Sequence, residues 1–385
     1  MRATQLSFTA LQFTKYATPA IMVAMHNDIP CVLMRGGTSR GPVFRADWLP
    51  ADPARRDRLL LAAMGSPHAL QVDGLGGGHP LTSKVAIVSR SARAGCDVDY
   101  LFAQVATDRA VVDTRPNCGN MLAAVAPFAV EEGLVEAAGD RTRVHIFNLN
   151  TATVVQALIH TPGGVVTYEG HARIDGVAGT GAPILLEFAD TWGGMTGALF
   201  PSGSRLEMID GVPVTCIDAA MPLMIVAAES LGLRGDEAPA LLDADLPLLA
   251  RLEALRRKAG QRMGMGDVGD SVVPKPALIS AARERGAVVS RYFTPTRCHQ
   301  AHAVTGAIGL AAAMFTPGTL VARYADAGGG PGGGCAAILH PAGRIEIEVR
   351  AERIGSDVRV RGASLLRTAR RIMKGYLSVP TDACF

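Results

Sequence analysis

Short apolar runs rich in Val, Ile, Leu and Ala recur along most of the chain, separated by turns that carry many of its 43 Gly and 23 Pro. Runs of this length and composition predict β-strands. The predicted strands are Pro30–Met34, Lys84–Arg90, Val98–Val105, Val144–Leu149, Thr153–His160, Ile184–Phe188, Val212–Ile217, Val288–Phe293, Ala336–His340, Arg344–Val349 and Val358–Arg361. Because these runs do not alternate regularly with helical segments, they favour an α+β fold over a doubly wound parallel sheet.

Four segments show helical character, and they are of two kinds. Pro53–Met64 and Leu242–Lys258 have one face of acids and bases and predict surface helices. Gly119–Glu132 and Thr305–Phe315 are apolar on every side, so each must be surrounded by other elements. The simplest arrangement is two similar halves, each a rolled, mainly antiparallel sheet around a central apolar helix.

The starts of the two apolar helices can be aligned, with Asn117–Ala123 laid on His302–Ile308. If the halves are related in this way, both helix N-termini face one cleft and present backbone N–H groups to anionic groups of a ligand. We expect an N-terminal half at residues 27–200 and a C-terminal half at 201–365. The segment 366–385 is expected to return to the N-terminal half.

The first 26 residues predict a disordered tail, although translation could instead start at Met22 or Met25. The longest apolar stretches reach about half of the ~18–20 residues that span a bilayer, so no membrane segment is expected.

Composition narrows the partners and the compartment. The formal net charge is only +3, with no basic run and only two Trp, which argues against nucleic-acid binding. Seven scattered Cys without a C-x-x-C pair argue against a disulfide framework and a thiolate zinc site, and they favour a cytoplasmic location.

Cys118 is the first candidate for chemistry. It stands at the predicted start of an apolar helix in the run Asn117-Cys118-Gly119-Asn120. A thiol at a helix N-terminus is well placed to act as a thiolate. A small buried core residue is an equally good interpretation of a lone cysteine.

Lys84 is the second candidate, because it begins a strongly apolar strand directly after the glycine-rich loop Asp73–Pro80. A lysine at a strand end is usually solvated. Beside a cleft of low dielectric it could instead act as a base or hold a carboxylate. The loop lacks the pattern of a dinucleotide or P-loop site.

The turn Arg35–Gly41 combines two guanidinium groups with the hydroxyls of Thr38 and Ser39. Such a turn can bind carboxylates, although a solvated polar turn has the same composition. His299 and His302 have a spacing compatible with metal ligation, but no third ligand accompanies them. We therefore expect no metal and interpret the pair as polar lining or helix caps.

Several runs together resemble one family. They are Cys31–Ser39, Met64–Pro67, Asp73–Gly77, Leu81–Val88, Val98–Val105, Asn117–Asn120, Val214–Asp218, Gly266–Val268 and Arg367–Arg370. The resemblance is to the 4-oxalomesaconate tautomerase and 2-methylaconitate isomerase family, and it covers about residues 29 to 378. It implies the fold of diaminopimelate epimerase, with an active site between two halves.

The resemblance also implies roles for particular residues. The epimerases use one cysteine before each central helix; here the first is Cys118, whereas the second position holds Ala303. Lys84 and Cys118 are instead implied as the acid–base pair of a cofactor-independent allylic isomerisation. The residues expected to bind substrate are Arg35, Thr38, Ser39, Arg40, Ser83, Asn117, Gly119, Asn120, His299, Thr305 and Gly306.

The expected partner is a small unsaturated polycarboxylate, and a homodimer is left open. The blocks Arg262–Val268 and Arg297–His299 are closer to the oxalomesaconate enzymes, whereas Ala303–Ala307 is closer to the methylaconitate enzymes. The sequence favours a 4-oxalomesaconate tautomerase. A 2-methylaconitate or aconitate isomerase and a non-catalytic tricarboxylate-binding protein are the alternatives.

Overall fold

The structure is a computed structural model that describes residues 26–189, 192–294, 296–325, 332–355 and 357–380. The tail predicted for residues 1–26 lies outside the described residues, except that residue 26 begins the first strand. None of the helices in the described ranges is long and apolar enough to span a membrane.

The described part of the chain is dominated by strands. They are β1 His26–Gly36, β2 Ser39–Arg45, β3 Lys84–Arg90, β4 Val98–Val105, β5 Val112–Asp113, β6 Arg141–Asn148, β7 Thr153–His160, β8 Ile184–Ala189, β9 Glu207–Ile209, β10 Val212–Asp218, β11 Pro222–Ala227, β12 Lys275–Ala281, β13 Ala287–Tyr292, β14 Gly332–His340, β15 Gly343–Ile354, β16 Asp357–Arg367 and β17 Ala369–Pro380. The helices are α1 Pro53–Met64, α2 Gly119–Leu122, α3 Val125–Glu131, α4 Pro239–Ala244, α5 Leu246–Arg262, α6 Val304–Met314 and α7 Leu320–Ala325.

Two helices predicted as continuous are each divided in the structure. The predicted helix Gly119–Glu132 forms the short helices α2 and α3, which are joined through Ala123 and Ala124. The predicted helix Leu242–Lys258 is divided at Asp245, whose carboxylate accepts a hydrogen bond from the Leu248 N–H and caps α5.

The two halves repeat one order of strand pairing. From β1 through β2, β3, β4, β6 and β7 to β8, successive neighbours pair antiparallel, parallel, antiparallel, parallel, antiparallel and antiparallel. From β10 through β11, β12, β13, β14 and β15 to β16, the same series recurs. The matching series relates β3 in the first half to β12 in the second.

The two sheets are continuous with each other through β8 and β16, which pair antiparallel. The last strand, β17, runs antiparallel to β1 from Ala369 to Pro380 and so lies on the sheet of the N-terminal half. A short strand, β9, holds the corresponding place beside β10.

The apolar helices lie inside the sheets, as their sequences predict. All eleven residues of α6 are buried, and so are all four residues of α2. Because Ala and Gly dominate α6, the surrounding strands approach the helix closely: a Cβ placed on Gly309 would lie 2.4 Å from Leu223 Cδ1. The predicted α+β architecture of two sheets with central apolar helices is confirmed.

Candidate active site

The first turns of α2 and α6 meet between the two halves. A Cβ on Gly119 would lie 2.7 Å from Val304 Cβ, so only glycine allows this approach. Across the same contact, Asn120 Nδ2 donates a hydrogen bond to the His302 carbonyl at 3.4 Å. The two helix starts that were aligned in the sequence therefore lie at one junction.

The β1–β2 hairpin packs over the start of α2. The polar run Arg35–Gly41 forms the ends of two strands around Gly37 and Thr38, and Gly37 has a φ of +50°. A Cβ on Gly36 would lie 2.4 Å from the Asn120 carbonyl oxygen. The Thr38 N–H donates to Asn120 Oδ1 at 3.4 Å, which ties the hairpin to the helix.

Cys118 lies directly beneath this hairpin. It is the N-cap residue of α2 and is 8% exposed, and its Sγ lies 4.0 Å from Ser39 Oγ. The Tyr100 hydroxyl donates to the Cys118 carbonyl at 3.2 Å, which fixes the backbone at the start of α2. Ala303 is likewise the N-cap residue of α6, so the alignment of these two positions holds in the structure.

Lys84 is buried at the start of β3, with 9% of its surface exposed. Its Nζ donates to Gln104 Oε1 at 2.7 Å and stands 5.0 Å from the centre of the Phe102 ring. Burial lowers the pKa of Lys84, and the nearby Cys118 opposes this shift. The lysine thus shares an electrostatic environment with the cysteine.

The backbone around Lys84 requires a glycine on the neighbouring strand. A Cβ placed on Gly41 would lie 1.7 Å from the Lys84 carbonyl oxygen. Side chains at position 41 would therefore push β2 away from β3 and displace Lys84.

Two further residues predicted to bind substrate make hydrogen bonds within the protein. Ser83 Oγ accepts from Gln71 Nε2 and donates to the Val105 carbonyl. Arg35 Nη1 donates to the carbonyls of Gly37 and Thr368. Through these bonds, both side chains hold neighbouring backbone segments of the site in place.

Three polar atoms of the predicted site are buried without a hydrogen-bond partner in the described ranges: Thr38 Oγ1, Arg40 Nε and Asn117 Oδ1. Leaving a buried polar group unpaired costs roughly 1–3 kcal/mol. Such groups in a native fold call for an explanation, and a polar ligand at this junction would supply the missing partners.

The C-terminal half contributes buried aromatic and imidazole groups. His299 Nδ1 accepts from the Ala301 N–H, and the Tyr292 and His302 rings lie 5.1 Å apart. Burial lowers the pKa of His302 to about 3 and that of His299 well below its usual value, with Lys84 adding repulsion at His299. Both imidazoles are therefore neutral near pH 7.

Thr305 and Gly306 lie in the first turn of α6, where the N–H groups have no carbonyl partner within the helix. A Cβ on Gly306 would lie 2.4 Å from Tyr292 Cε2, so the helix start is packed against this ring.

Gln104 and Phe102 were not singled out in the sequence, although both lie in the correctly predicted strand β4. Gln104 is the residue of β4 directly opposite Lys84 in the antiparallel register. Only that register identifies the partner of the lysine. His79 was also missed: burial, followed by repulsion from Arg297 and Lys84, lowers its pKa.

Metal-binding groups do not cluster in this part of the molecule. Within the described ranges, no three His, Cys, Asp or Glu side chains are arranged to hold a metal ion. His302 Nε2 is within hydrogen-bond distance of Ser290 Oγ at 3.1 Å, and its Nδ1 lies 2.9 Å from the Ala303 carbonyl. That the reaction needs neither metal nor cofactor stays a prediction.

Comparison with known proteins gives consistent matches over the chain. The family model described as PrpF protein matches residues 26–380. The (4E)-oxalomesaconate Delta-isomerase of Novosphingobium sp. (strain KA1) is 50% identical over 356 residues, covering 92% of this chain and 98% of the relative. The 4-oxalomesaconate tautomerase of Pseudomonas putida is 47% identical over 354 residues, covering 92% and 97%.

Solved structures match the whole architecture. A crystal structure of methylitaconate-delta-isomerase superposes with a TM-score of 0.75 and 35% identity, covering 94% of this chain and 98% of that one. A hydroxyproline epimerase from Agrobacterium vitis superposes with a TM-score of 0.55 over 92% and 93% of the two chains. At 14% identity, the second match shows a shared fold alone.

Proposed function

This chain belongs to the PrpF family, and we propose that it acts on 4-oxalomesaconate. Its membership of the family confirms both the resemblance found in its sequence and its assignment as an isomerase. In this proposal the enzyme shifts a carbon–carbon double bond within the unsaturated tricarboxylate. Lys84 and Cys118 serve as its acid–base pair. The observation that carries the proposal is that a buried lysine and the cysteine at the helix N-cap both lie against β2, with Cys118 Sγ 4.0 Å from Ser39 Oγ and the Lys84 backbone packed against Gly41.

The proposed reaction needs two proton transfers and no change in oxidation state. One member of the pair removes a proton from a carbon next to a carboxylate or ketone, and the C–H electrons move into an extended enolate. The double bond re-forms one position along, and the other member returns a proton to the far carbon. Burial favours the neutral amine of Lys84, which is the form able to accept a proton.

The enolate places negative charge on oxygen, and donors around the junction support its stabilisation. Arg40 Nε and Thr38 Oγ1 lack partners in the described ranges, and the Thr305 and Gly306 N–H groups lie in the first turn of α6. Donors that are fixed before the reaction contribute most when charge develops near them.

The relatives support the choice of substrate. The two relatives named for oxalomesaconate are 50% and 47% identical to this chain, whereas the methylitaconate isomerase of known structure is 35% identical. The methylaconitate-like run Ala303–Ala307 keeps 2-methylaconitate as the second candidate.

Proton exchange in D2O tests both the reaction and the substrate. Purified enzyme is incubated with 4-oxalomesaconate or 2-methylaconitate, and 1H NMR follows deuterium entering the carbons at the ends of the allylic system. We expect exchange and isomerisation that are fastest with 4-oxalomesaconate. Faster turnover of 2-methylaconitate would replace the substrate, and exchange into neither compound would contradict the proposed reaction.

A further inference from the structure

Lys275 occupies in the C-terminal half the place that Lys84 occupies in the N-terminal half. Each lysine is the first residue of its strand, β12 or β3, and each strand pairs parallel with the strand before it. The sequences Lys84-Val-Ala-Ile-Val-Ser and Lys275-Pro-Ala-Leu-Ile-Ser match at three positions, and both strands begin with five buried residues. The repeated pairing order thus makes the two lysines structural counterparts.

Lys275 differs from the other lysines of the described ranges in having no partner. Lys258 pairs with Asp210, Lys374 pairs with Glu132, and the Lys84 Nζ donates to Gln104. The Lys275 side chain is 7% exposed, and its Nζ makes no hydrogen bond or ion pair with any described residue. The Lys275 Nζ is not among the enclosed polar atoms that lack a partner in the described ranges, so it keeps some solvent-accessible surface and is open to an anionic ligand.

The charged groups around Lys275 come largely from the opposite half. Lys84, Asp113 and Arg115 of the N-terminal half and Arg256 of α5 act on its charge, Asp113 favourably and the other three unfavourably. Asp113 is already paired with Arg115 at 2.8 Å, and Arg256 is held by Glu253 and the carbonyls of Val268 and Val273. Asp113 is therefore shared with Arg115 and offsets only part of the unfavourable effect of burial on the Lys275 ammonium.

We propose that Lys275 is the carboxylate-binding cation that the C-terminal half contributes to the active site, where it holds one carboxylate of the substrate while Lys84 and Cys118 move the proton. This inference rests on the proposed function for the class of substrate. The position of Ala303 supports binding over proton transfer, since the C-terminal half has no thiol at its helix N-cap to complete a second acid–base pair.

A pH-dependent affinity follows from the same environment. Burial, followed by repulsion from Lys84, lowers the pKa of Lys275 to about 7. Above pH 7 the side chain is mainly neutral in the empty enzyme, and a bound carboxylate favours its charged form. Ligand binding at pH 8 should therefore take up a proton, and affinity should weaken as the pH rises above 7.

Calorimetric binding of propane-1,2,3-tricarboxylate separates this role from turnover, because the saturated compound has no double bond to move. Titrations at pH 8 in HEPES and in Tris give the number of protons taken up, since the two buffers differ in ionisation enthalpy. The variant Lys275→Met removes the amine with little change in volume. Lys258→Met, on the exposed face of α5, is the matched control.

We expect Lys275→Met to weaken tricarboxylate binding by roughly 10- to 100-fold, the range for a lost hydrogen bond to a charged group, and to abolish the proton uptake that Lys275 contributes. Lys258→Met should bind like the wild type. Thermal unfolding at pH 7 should show Lys275→Met about as stable as the wild type, because the Lys275 amine makes no hydrogen bond or ion pair with a described residue that the variant would lose. A purely structural lysine would instead lower the unfolding temperature when it is replaced.

Wild-type affinity and proton uptake in a folded Lys275→Met protein would overturn the role of Lys275, as would a wild-type enzyme that does not bind the tricarboxylate. Neither result depends on catalysis. Failure of the wild-type enzyme to exchange protons with 4-oxalomesaconate, while Lys275→Met still loses tricarboxylate affinity, would instead contradict the proposed reaction and leave the carboxylate-binding role supported.

Discussion

The two halves of the molecule share one order of strands around one kind of helix, yet they differ at the same two places. The N-terminal half has Lys84, hydrogen-bonded to Gln104, and Cys118 at the helix N-cap. The C-terminal half has Lys275, without a partner in the described ranges, and Ala303 at the helix N-cap. A repeated scaffold thus carries two different sets of reactive groups.

This difference assigns separate tasks to the halves. In our proposal, the half that retains the cysteine moves protons, and the half that has lost it binds a carboxylate. Both sets of groups lie on one repeated scaffold, and fold alone does not determine the reaction. The chemistry depends on which groups remain at the starts of two strands and two helices.

The strongest test of the difference between the halves is a variant that keeps the charge of Lys84 but cannot accept a proton. Lys84→Arg should lower turnover by roughly 10²- to 10⁴-fold, because a guanidinium stays protonated. Affinity for propane-1,2,3-tricarboxylate should change far less. Steady-state kinetics and calorimetry measure the two effects, with Lys258→Arg as the surface control. Near-wild-type turnover would leave Lys84 a purely electrostatic role.

Removing Gln104, the hydrogen-bond partner of Lys84, makes Lys84 resemble Lys275, which has no partner among the described residues. Gln104→Leu should lower kcat/KM by roughly 10-fold, as expected for a lost hydrogen bond to a charged group. It should also move the limb of the pH–rate profile that reports Lys84 to lower pH, because the ammonium loses an acceptor.

Gln104→Glu provides the matched comparison. Both variants lose the Nε2 donor that binds the carbonyls of Pro80 and Ser83. The added carboxylate stabilises the ammonium, so this variant should move the same limb to higher pH. Shifts in one direction for both variants would mean that Gln104 acts on the loop and not on the proton affinity of Lys84.

The smallest expected effect concerns the missing second cysteine. Racemisation requires a second acid on the opposite face of the substrate, and Ala303 supplies no such group. The wild-type enzyme should therefore show no racemisation of diaminopimelate or proline above the uncatalysed rate, measured by chiral chromatography. Epimerase activity in a rigorously purified sample would contradict the division of tasks between the halves.

The local pattern of apolar residues was enough to predict many of the strands and helices. The strands β3, β4 and β7 and the helix α1 have the bounds that their apolar runs predict. The helix α6 was also predicted, because its composition leaves no face for solvent, and it begins one residue before its predicted start. These features depend on neighbours in the sequence.

The missed features depend on distant neighbours. Strand β12 was not predicted because Pro274 and Pro276 flank Lys275, and prolines usually indicate turns. Its pairing with β11 and β13 stabilises a strand there nonetheless. Because β12 was not predicted, the sequence did not show that Lys84 and Lys275 are counterparts. Only the repeated order of strand pairing shows it.

The central claim is that Lys84 and Cys118 each handle one of the two proton transfers, and deuterium exchange in single variants tests it most directly. Folded Lys84→Met and Cys118→Ser proteins are incubated with 4-oxalomesaconate in D2O, and 1H NMR follows both exchange and net isomerisation. The account predicts that net isomerisation falls by roughly 10²-fold or more in each variant. The variant that still has the residue acting as the first base should continue to exchange the substrate proton that this residue removes. Net isomerisation by either variant within tenfold of the wild-type rate would contradict it.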